Sequence, residues 1–356
     1  MTQRRKPEFK FLDRIIGEEQ ATFFIAEMSG NHGHSYERAE KMLRAAAAAG
    51  ADAVKLQTYT ADTITIDCDN EYFRIGEGSL WSGRTLHELY DEAHTPWEWQ
   101  PRLKKLGDAL GVEVFSTPFD ATAVDFLEQE VGVNLYKIAS FEVVDIPLLE
   151  KVASTGKPVI MSTGMASLAE IDLAVKTLRE GGSGDIALLR CVSSYPAEPE
   201  QMNLATIPHL SQSFDCVAGL SDHSLSSAVA VAAVTLGARI VEKHFTLARE
   251  DGGPDAAFSL EPAELAETIR AIREAEAAVG RVRYGAGVGE AGNVVFRKSV
   301  FVVKDIKKGE LLSTKNIRVI RPGNGASPIF YKNVLGKRAS RDFVRGTPLS
   351  IPGDIY

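Results

Sequence analysis

The chain is short of cysteine. Only Cys68, Cys191 and Cys216 occur among 356 residues, and their spacing matches no paired-ligand or redox motif. Cys191 and Cys216 fall inside apolar runs, where a buried free thiol is expected rather than a disulfide. No apolar N-terminal segment reads as a signal peptide and no stretch is long enough to span a bilayer, so a cytoplasmic location is expected. Basic residues are in the minority, 40 against 48 acidic ones, for a net charge of -8. That balance argues against nucleic acid or an anionic membrane as partner, and Arg4-Arg5-Lys6 reads as a solvated tail. A Gly-rich dinucleotide turn is missing after the first strand-like run, where Glu27-Met28-Ser29-Gly30-Asn31 stands instead. No long internal repeat or low-complexity tract is visible. What remains is ordinary for a soluble globular protein, 44% hydrophobic and 25% charged.

Apolar runs alternate with helical segments along most of the chain. After a charged start with a short edge strand at Phe9-Lys10-Phe11, strands are expected at Thr22–Ala26, Ala53–Gln57, Glu113–Ser116 and Leu135–Ala139. Four more follow at Val159–Met161, Ile186–Cys191, Cys216–Ala218 and Ala238–Val241. Helices are expected over 36–49, closing at Gly50, and over 121–129, 146–155, 167–180, 224–236 and 262–279. Thr95 and Pro96 have the chemistry of a helix start, cap and first helical position, with Trp97 and Trp99 either anchoring that helix or stacking on a sugar. Eight short strands alternating with helices predict a parallel (β/α)8 TIM barrel over residues 1–280. Tyr284 to Gly292 is rich in glycine, so 281–294 reads as a flexible linker and 295–356 as a second module of short β runs.

In such a barrel the reactive groups gather where the strands end. Lys55 and Gln57 alternate onto one face of their strand, toward the barrel interior. Lys55 and Lys137, with nearby hydroxyls and the amides of Ser162-Thr163-Gly164, suit a phosphate and a carboxylate. The competing reading pairs the lysines with Glu27, Glu142 and Glu242, which is more natural for one lysine than for both. Two runs finish in Ser221-Asp222-His223 and Glu242-Lys243-His244. Either histidine alone reads as structural. Delivered together from neighbouring strands, the two imidazoles can hold one divalent ion, with positions left open for substrate. The long irregular stretch from Tyr59 to Ser82 is of a length that usually covers a binding site.

The ordered set Ile25-Ala26-Glu27, Val54-Lys55-Leu56-Gln57, Ser116 to Asp120, Tyr136 to Ser140, Ser162 to Met165, Gly219 to His223 and Glu242 to Phe245 resembles the sialic acid synthase family. The tail, with its Arg321-Pro322-Gly323 loop, is similar to that family's antifreeze-like SAF domain, of β-clip type. Thr95 to Trp99, Gly219 to His223 and Gly252-Gly253-Pro254-Asp255 look most like its pseudaminic acid synthase branch.

The resemblance implies condensation of phosphoenolpyruvate with an N-acylated amino sugar, here 2,4-diacetamido-2,4,6-trideoxy-altrose. Lys55, Thr117, Lys137, Ser140, Ser162, Ser193 and Ser221 would then hold phosphoenolpyruvate. His223 and His244 would hold a divalent metal, Mn2+, Mg2+ or Co2+. Gln57, Glu142, Tyr195 and Asp255 would face the sugar, and Arg321 would reach in from the other subunit of a domain-swapped homodimer. Glu27 is the first candidate for handling the water, and Glu142 the other. The 6-deoxy carbon needs an apolar surface, expected from Tyr59 to Trp81 with Tyr72 and Phe73. The neuraminic and legionaminic acid reactions are the near alternatives. A lysine Schiff-base aldolase and a non-catalytic sugar-binding scaffold are the distant ones, and the lysine- and arginine-rich tail speaks against an ice-binding face.

Overall fold

The structure, a computed structural model, describes residues 6–77, 80–351 and 353–355. Arg4 and Arg5 of the expected solvated tail lie outside them. The chain divides into two compact units, Met1–Gly280 and Arg281–Tyr356.

The first unit is a closed parallel barrel. Its strands are β3 (Phe23–Glu27), β4 (Ala53–Thr58), β5 (Glu113–Pro118), β6 (Tyr136–Ile138), β7 (Val159–Ser162), β8 (Ile186–Cys191), β9 (Val217–Asp222) and β10 (Ile240–His244). Each pairs with its chain neighbour, and β10 closes on β3 with His244 opposite Glu27. The β period of two then sorts side chains. Phe24, Val54, Val114, Ile138, Met161 and Leu188 face outward into the layer packed by the helices. Ile25, Ala53, Phe115, Leu135, Ile160 and Leu189 fill the interior. Gly219 sits at a tight point of this interior, where an added Cβ would collide with the Ile240 carbonyl and the Leu189 side chain.

A hairpin of β1 (Phe9–Phe11) and β2 (Arg14–Ile16) precedes the barrel. The expectation there was one edge strand. The hairpin instead buries Phe9, Phe11 and Ile16 in the same apolar cluster as the barrel interior. Local chemistry sets the helix ends, the second of them as expected. Ser35 accepts a bond from the Arg38 amide at 3.2 Å to start Tyr36–Ala49, and Gly50, with φ of 92°, ends it.

One further expectation needs correction. Thr95 does not cap a helix: its hydroxyl meets His32 Nε2 at 3.0 Å, because Pro96 is extended (ψ 126°). A 3-10 turn, Trp97–Trp99, follows, and the helix proper, Gln100–Leu110, has Pro101 in its first turn. Both tryptophans anchor. Trp97 donates to the Tyr59 carbonyl at 3.1 Å and stacks on Phe126, while Trp99 packs on His32 and Tyr36. A helix at Thr206–Phe214, between β8 and β9, escaped the sequence reading. The segment read as a flexible linker contains a 3-10 stretch, Val288–Phe296.

The second unit pairs β11 (Ser299–Val302) with β12 (Ile317–Ile320) antiparallel. Val300, Val302, Ile317, Val334 and Leu349 are among its core residues. Among the described residues no helix is long and apolar enough to cross a membrane.

Candidate active site

The interior alternation that buries apolar residues low in the barrel turns polar at the strand ends. Two residues beyond Ile25, Ala53, Leu135, Ile160, Gly219 and Ile240 come Glu27, Lys55, Lys137, Ser162, Ser221 and Glu242. All six are buried. Lys55 Nζ lies 2.7 Å from Glu27, 3.5 Å from Glu242 and 3.3 Å from Thr117 Oγ1. Lys137 Nζ lies 3.3 Å from Glu242, whose other close partner is the Ser221 hydroxyl at 2.9 Å. Both lysines are therefore ion-paired, not one as expected, because a single carboxylate, Glu242, bridges them.

Burial pushes the Glu27 carboxyl toward neutrality, against the pull of Lys55. Burial acts on Glu242 in the same sense, but Lys137 and Lys55 outweigh it and hold that carboxylate ionised. Desolvation likewise works against the charge on Lys55, where Glu242 and Glu27 prevail, and it lowers the pKa of Lys137. Two buried lysines share Glu242 as their firmly ionised partner, while burial works against the charge on Glu27, an arrangement suited to receiving an anion.

Above this floor opens a cavity of about 560 Å³. Lys55, Gln57, Lys137, Ser140, Ser162 and Ser221 reach its wall, as do Glu142, Tyr195, His223, His244 and Asp255. Ser162 Oγ is buried there with no hydrogen-bond partner. Ser193 stands one step back, its hydroxyl 2.8 Å from that of Ser140. Gly164, with φ of 48°, makes room for that pair, since a Cβ on it would strike Ser140. Glu27 and Thr117 touch Lys55 but are not on the wall. Glu142 is: its Oε2 is buried without a partner, and burial raises its pKa to about 7. Arg321 lies on the second unit, exposed at the end of β12.

The histidines meet as expected. Their ring centroids are 5.2 Å apart. His223 Nδ1 donates to the Val192 carbonyl at 2.8 Å, which leaves Nε2 as the nitrogen able to coordinate when the ring is neutral; desolvation favours that form and Cys191 beside the ring opposes it, raising the pKa. His244 Nδ1 is buried with no hydrogen-bond partner, 3.8 Å from Asp255. Tyr195 stacks on His223 at 4.5 Å, and burial keeps its hydroxyl protonated. Asp222 does not join them. It alternates to the opposite face and pairs with Lys243 at 2.6 Å, tying together the two strands that deliver the histidines. Among the described residues no group of three or more His, Cys, Asp or Glu side chains forms a metal-ligand cluster.

Much of the remaining lining is apolar and was only partly foreseen. Tyr59, Ile64, Ile75, Trp81, Leu89 and Phe119 build it. Tyr72 is 80% exposed, and neither it nor Phe73 reaches the cavity. The Phe73 backbone is committed elsewhere, accepting from the Leu86 amide at 2.8 Å. Cys191 also lines the cavity; its place one step past Leu189 on an inward face was the signal for it.

The profile of the NeuB family matches residues 42–284. The chain belongs to the NeuB family. This is the sialic acid synthase family, and the SAF domain matches residues 297–352. Pseudaminic acid synthase of Campylobacter jejuni is 41% identical over 331 residues, covering 93% of this chain and 96% of that protein. N,N'-diacetyllegionaminic acid synthase of the same organism is 38% identical over 331 residues, covering 90% and 97%. The crystal structure of the N-acetylneuraminic acid synthetase of Leptospira borgpetersenii in complex with citrate superposes with a TM-score of 0.70 at 32% identity, covering 82% of this chain and 97% of that one.

Proposed function

We propose that this NeuB-family chain condenses phosphoenolpyruvate and water with 2,4-diacetamido-2,4,6-trideoxy-altrose to give pseudaminic acid and phosphate. The observation that carries this reading is the cavity that joins Lys55 and Lys137 with the serine hydroxyls, the two histidines and an apolar lining. Its likeness to the Campylobacter jejuni pseudaminic acid synthase supports the choice of sugar. The legionaminic acid reaction is the second reading, favoured by the 38% identical relative that acts in that branch by name.

Lys55 and Lys137 bind the phosphate and carboxylate, helped by the hydroxyls of Ser140, Ser162 and Ser221. Thr117 and Ser193 hold Lys55 and Ser140 from behind. Gln57, Tyr195 and Asp255 orient the sugar, Tyr195 as a hydroxyl donor. His223 and His244 suit a divalent ion such as Mn2+, Mg2+ or Co2+, one with Nδ1 engaged by a backbone carbonyl so that Nε2 is the coordinating atom, the other with an orphaned ring nitrogen. When bound, such an ion supplies Lewis-acid polarisation of the sugar aldehyde.

C3 of phosphoenolpyruvate bonds to the aldehyde carbon, whose oxygen takes up a proton. Water adds to C2, and the C2–O bond to phosphate breaks as the keto group forms. Glu142 takes the proton from that water: it reaches the cavity and titrates near 7. Glu27 instead holds Lys55 in place. Arg321 completes the sugar site from the second domain of a partner in a homodimer. Free thiols at Cys68, Cys191 and Cys216 suit a cytoplasmic enzyme.

Phosphate release from phosphoenolpyruvate, assayed with each of the three candidate sugars before and after chelation, tests this. Release with the altrose sugar alone, lost on chelation and restored by Mn2+, is expected. Equal release with N-acetylmannosamine would overturn the sugar assignment.

A further inference from the structure

The backbone that carries Asp255 is held to the mouth of the barrel without help from that carboxylate. Asn31 Nδ2 donates to the Phe245 carbonyl at 2.9 Å and to Ser259 Oγ at 2.8 Å. Ser259 Oγ donates in turn to the Asp255 carbonyl at 2.7 Å, and the Trp81 indole N–H to the Pro254 carbonyl at 2.8 Å. Gly30 packs so closely on this segment that an added Cβ would lie 2.8 Å from the Pro254 ring. These contacts fix the chain on both sides of Asp255 and leave the direction of its side chain undetermined.

Ser29, two residues beyond Glu27 at the end of β3, supplies what is missing. It is buried and has φ of 46°, in the left-handed region that glycine enters readily and a residue with a Cβ enters rarely. Its amide donates to Glu27 Oε1 at 3.2 Å, and its hydroxyl donates to Asp255 Oδ2. Among the described residues no other hydrogen bond reaches the Asp255 carboxylate. The same oxygen lies 3.8 Å from His244 Nδ1, beyond hydrogen-bond reach. Asp255 borders the cavity and Ser29 does not. A glycine here would relieve the backbone and keep the amide. What the serine adds is its hydroxyl, and that hydroxyl bonds only to the carboxylate.

We infer that Ser29 is a positioning residue for the sugar: its hydroxyl fixes the Asp255 carboxylate at the cavity wall, leaving the remaining acceptor sites of that group to the substrate. This rests on the condensation proposed above, in which Asp255 orients the sugar. The two bonds of Ser29 divide between the two substrates. The amide serves Glu27, which pairs with Lys55 at 2.7 Å on the phosphoenolpyruvate side, and it survives loss of the side chain. The bond to Asp255 does not survive, so the loss should fall on the sugar alone.

Calorimetry with 2,4-diacetamido-2,4,6-trideoxy-altrose and with phosphoenolpyruvate, phosphate release and thermal unfolding test this in the wild type, Ser29→Gly, Asp255→Ala and the double variant. Ser29→Gly is expected to bind the sugar about tenfold more weakly, the scale of one hydrogen bond to a charged group, with the Kd for phosphoenolpyruvate unchanged. Its Tm should stay close to wild type, because relief of the left-handed backbone offsets the lost bond. In the Asp255→Ala background the same substitution should cost less than about twofold, since the partner is already gone. A hydroxyl with only a structural role would instead lower Tm and weaken both ligands in either background. Ser29→Ala, which removes the hydroxyl and keeps the Cβ, should show the same split and covers the case in which the glycine variant does not fold. An unchanged sugar Kd in a folded variant, equal weakening of both ligands, or a full loss that persists without Asp255 overturns the inference even if the wild type releases phosphate. Coupling of Ser29 to Asp255 in sugar binding supports it even if no phosphate is released, and then the proposed reaction falls instead. A wild type that does not bind this sugar overturns both.

Discussion

The two ends of the barrel interior use the same strands, the same face and the same two-residue period, yet they are opposite in character. The lower half is carbon: Ile25, Phe115, Ile160 and Leu189 close around the aromatic rings of the N-terminal hairpin. The upper half, one step further along each strand, buries Lys55, Lys137, Glu27 and Glu242. Burying apolar surface stabilises, while burying charge costs free energy that ion pairing offsets only in part. A fold under selection for stability alone would continue the carbon upward. The polar half is tolerable because the hairpin plug and the helical layer hold the barrel without it. The lower end carries the stability and the upper end the chemistry.

The largest effect expected from breaking this division lies in the apolar lower half. Phe115→Ala removes a fully buried ring and should destabilise the protein by about 3–5 kcal/mol. Denaturant unfolding measures this, and kcat of the molecules that remain folded should be near wild type. A large fall in kcat at unchanged stability would erase the distinction between the two ends. Lys137→Met is the mirror experiment. It should cost about 100- to 1000-fold in kcat/KM for phosphoenolpyruvate, the scale of one preorganised electrostatic contact. Thermal unfolding should move little, because the methionine fills the volume without an ammonium to desolvate and Lys55 still faces Glu242.

A smaller and sharper effect belongs to Glu142. Its folded pKa near 7 lies above the ordinary carboxyl value, so the base form is lost as pH falls through about 7. Activity should decline below that pH by about tenfold per unit. Glu142→Gln should flatten this limb at a low rate, read from the pH profile of kcat/KM. The linked stability has the opposite sign: the raised pKa favours the folded state at low pH, and the advantage is lost as pH rises from about 4.5 to about 7. The glutamine variant should lack that slope in unfolding free energy. A wild-type acidic limb that survives the substitution would assign the proton to another group.

The sequence by itself determined the barrel. Short apolar strands, caps such as Ser35 and terminators such as Gly50 are local signals, and the period of two already placed Lys55 and Gln57 inward. It also determined the meeting of His223 and His244, since two neighbouring strands ending in histidine can hardly deliver them elsewhere. Closure decided the rest. Which carboxylate serves which lysine depends on distances across the barrel, and only there does Glu242 emerge as the bridge between Lys55 and Lys137. The same holds for Asp222, which chemistry alone would assign to the site but alternation turns away onto Lys243. Local pattern said nothing of Trp81 as against Tyr72, both aromatics on one irregular excursion. Without a repeating backbone there is no period to read, and the side chain that enters the cavity is decided by contacts with Pro254 and Tyr195, more than a hundred residues further along the chain.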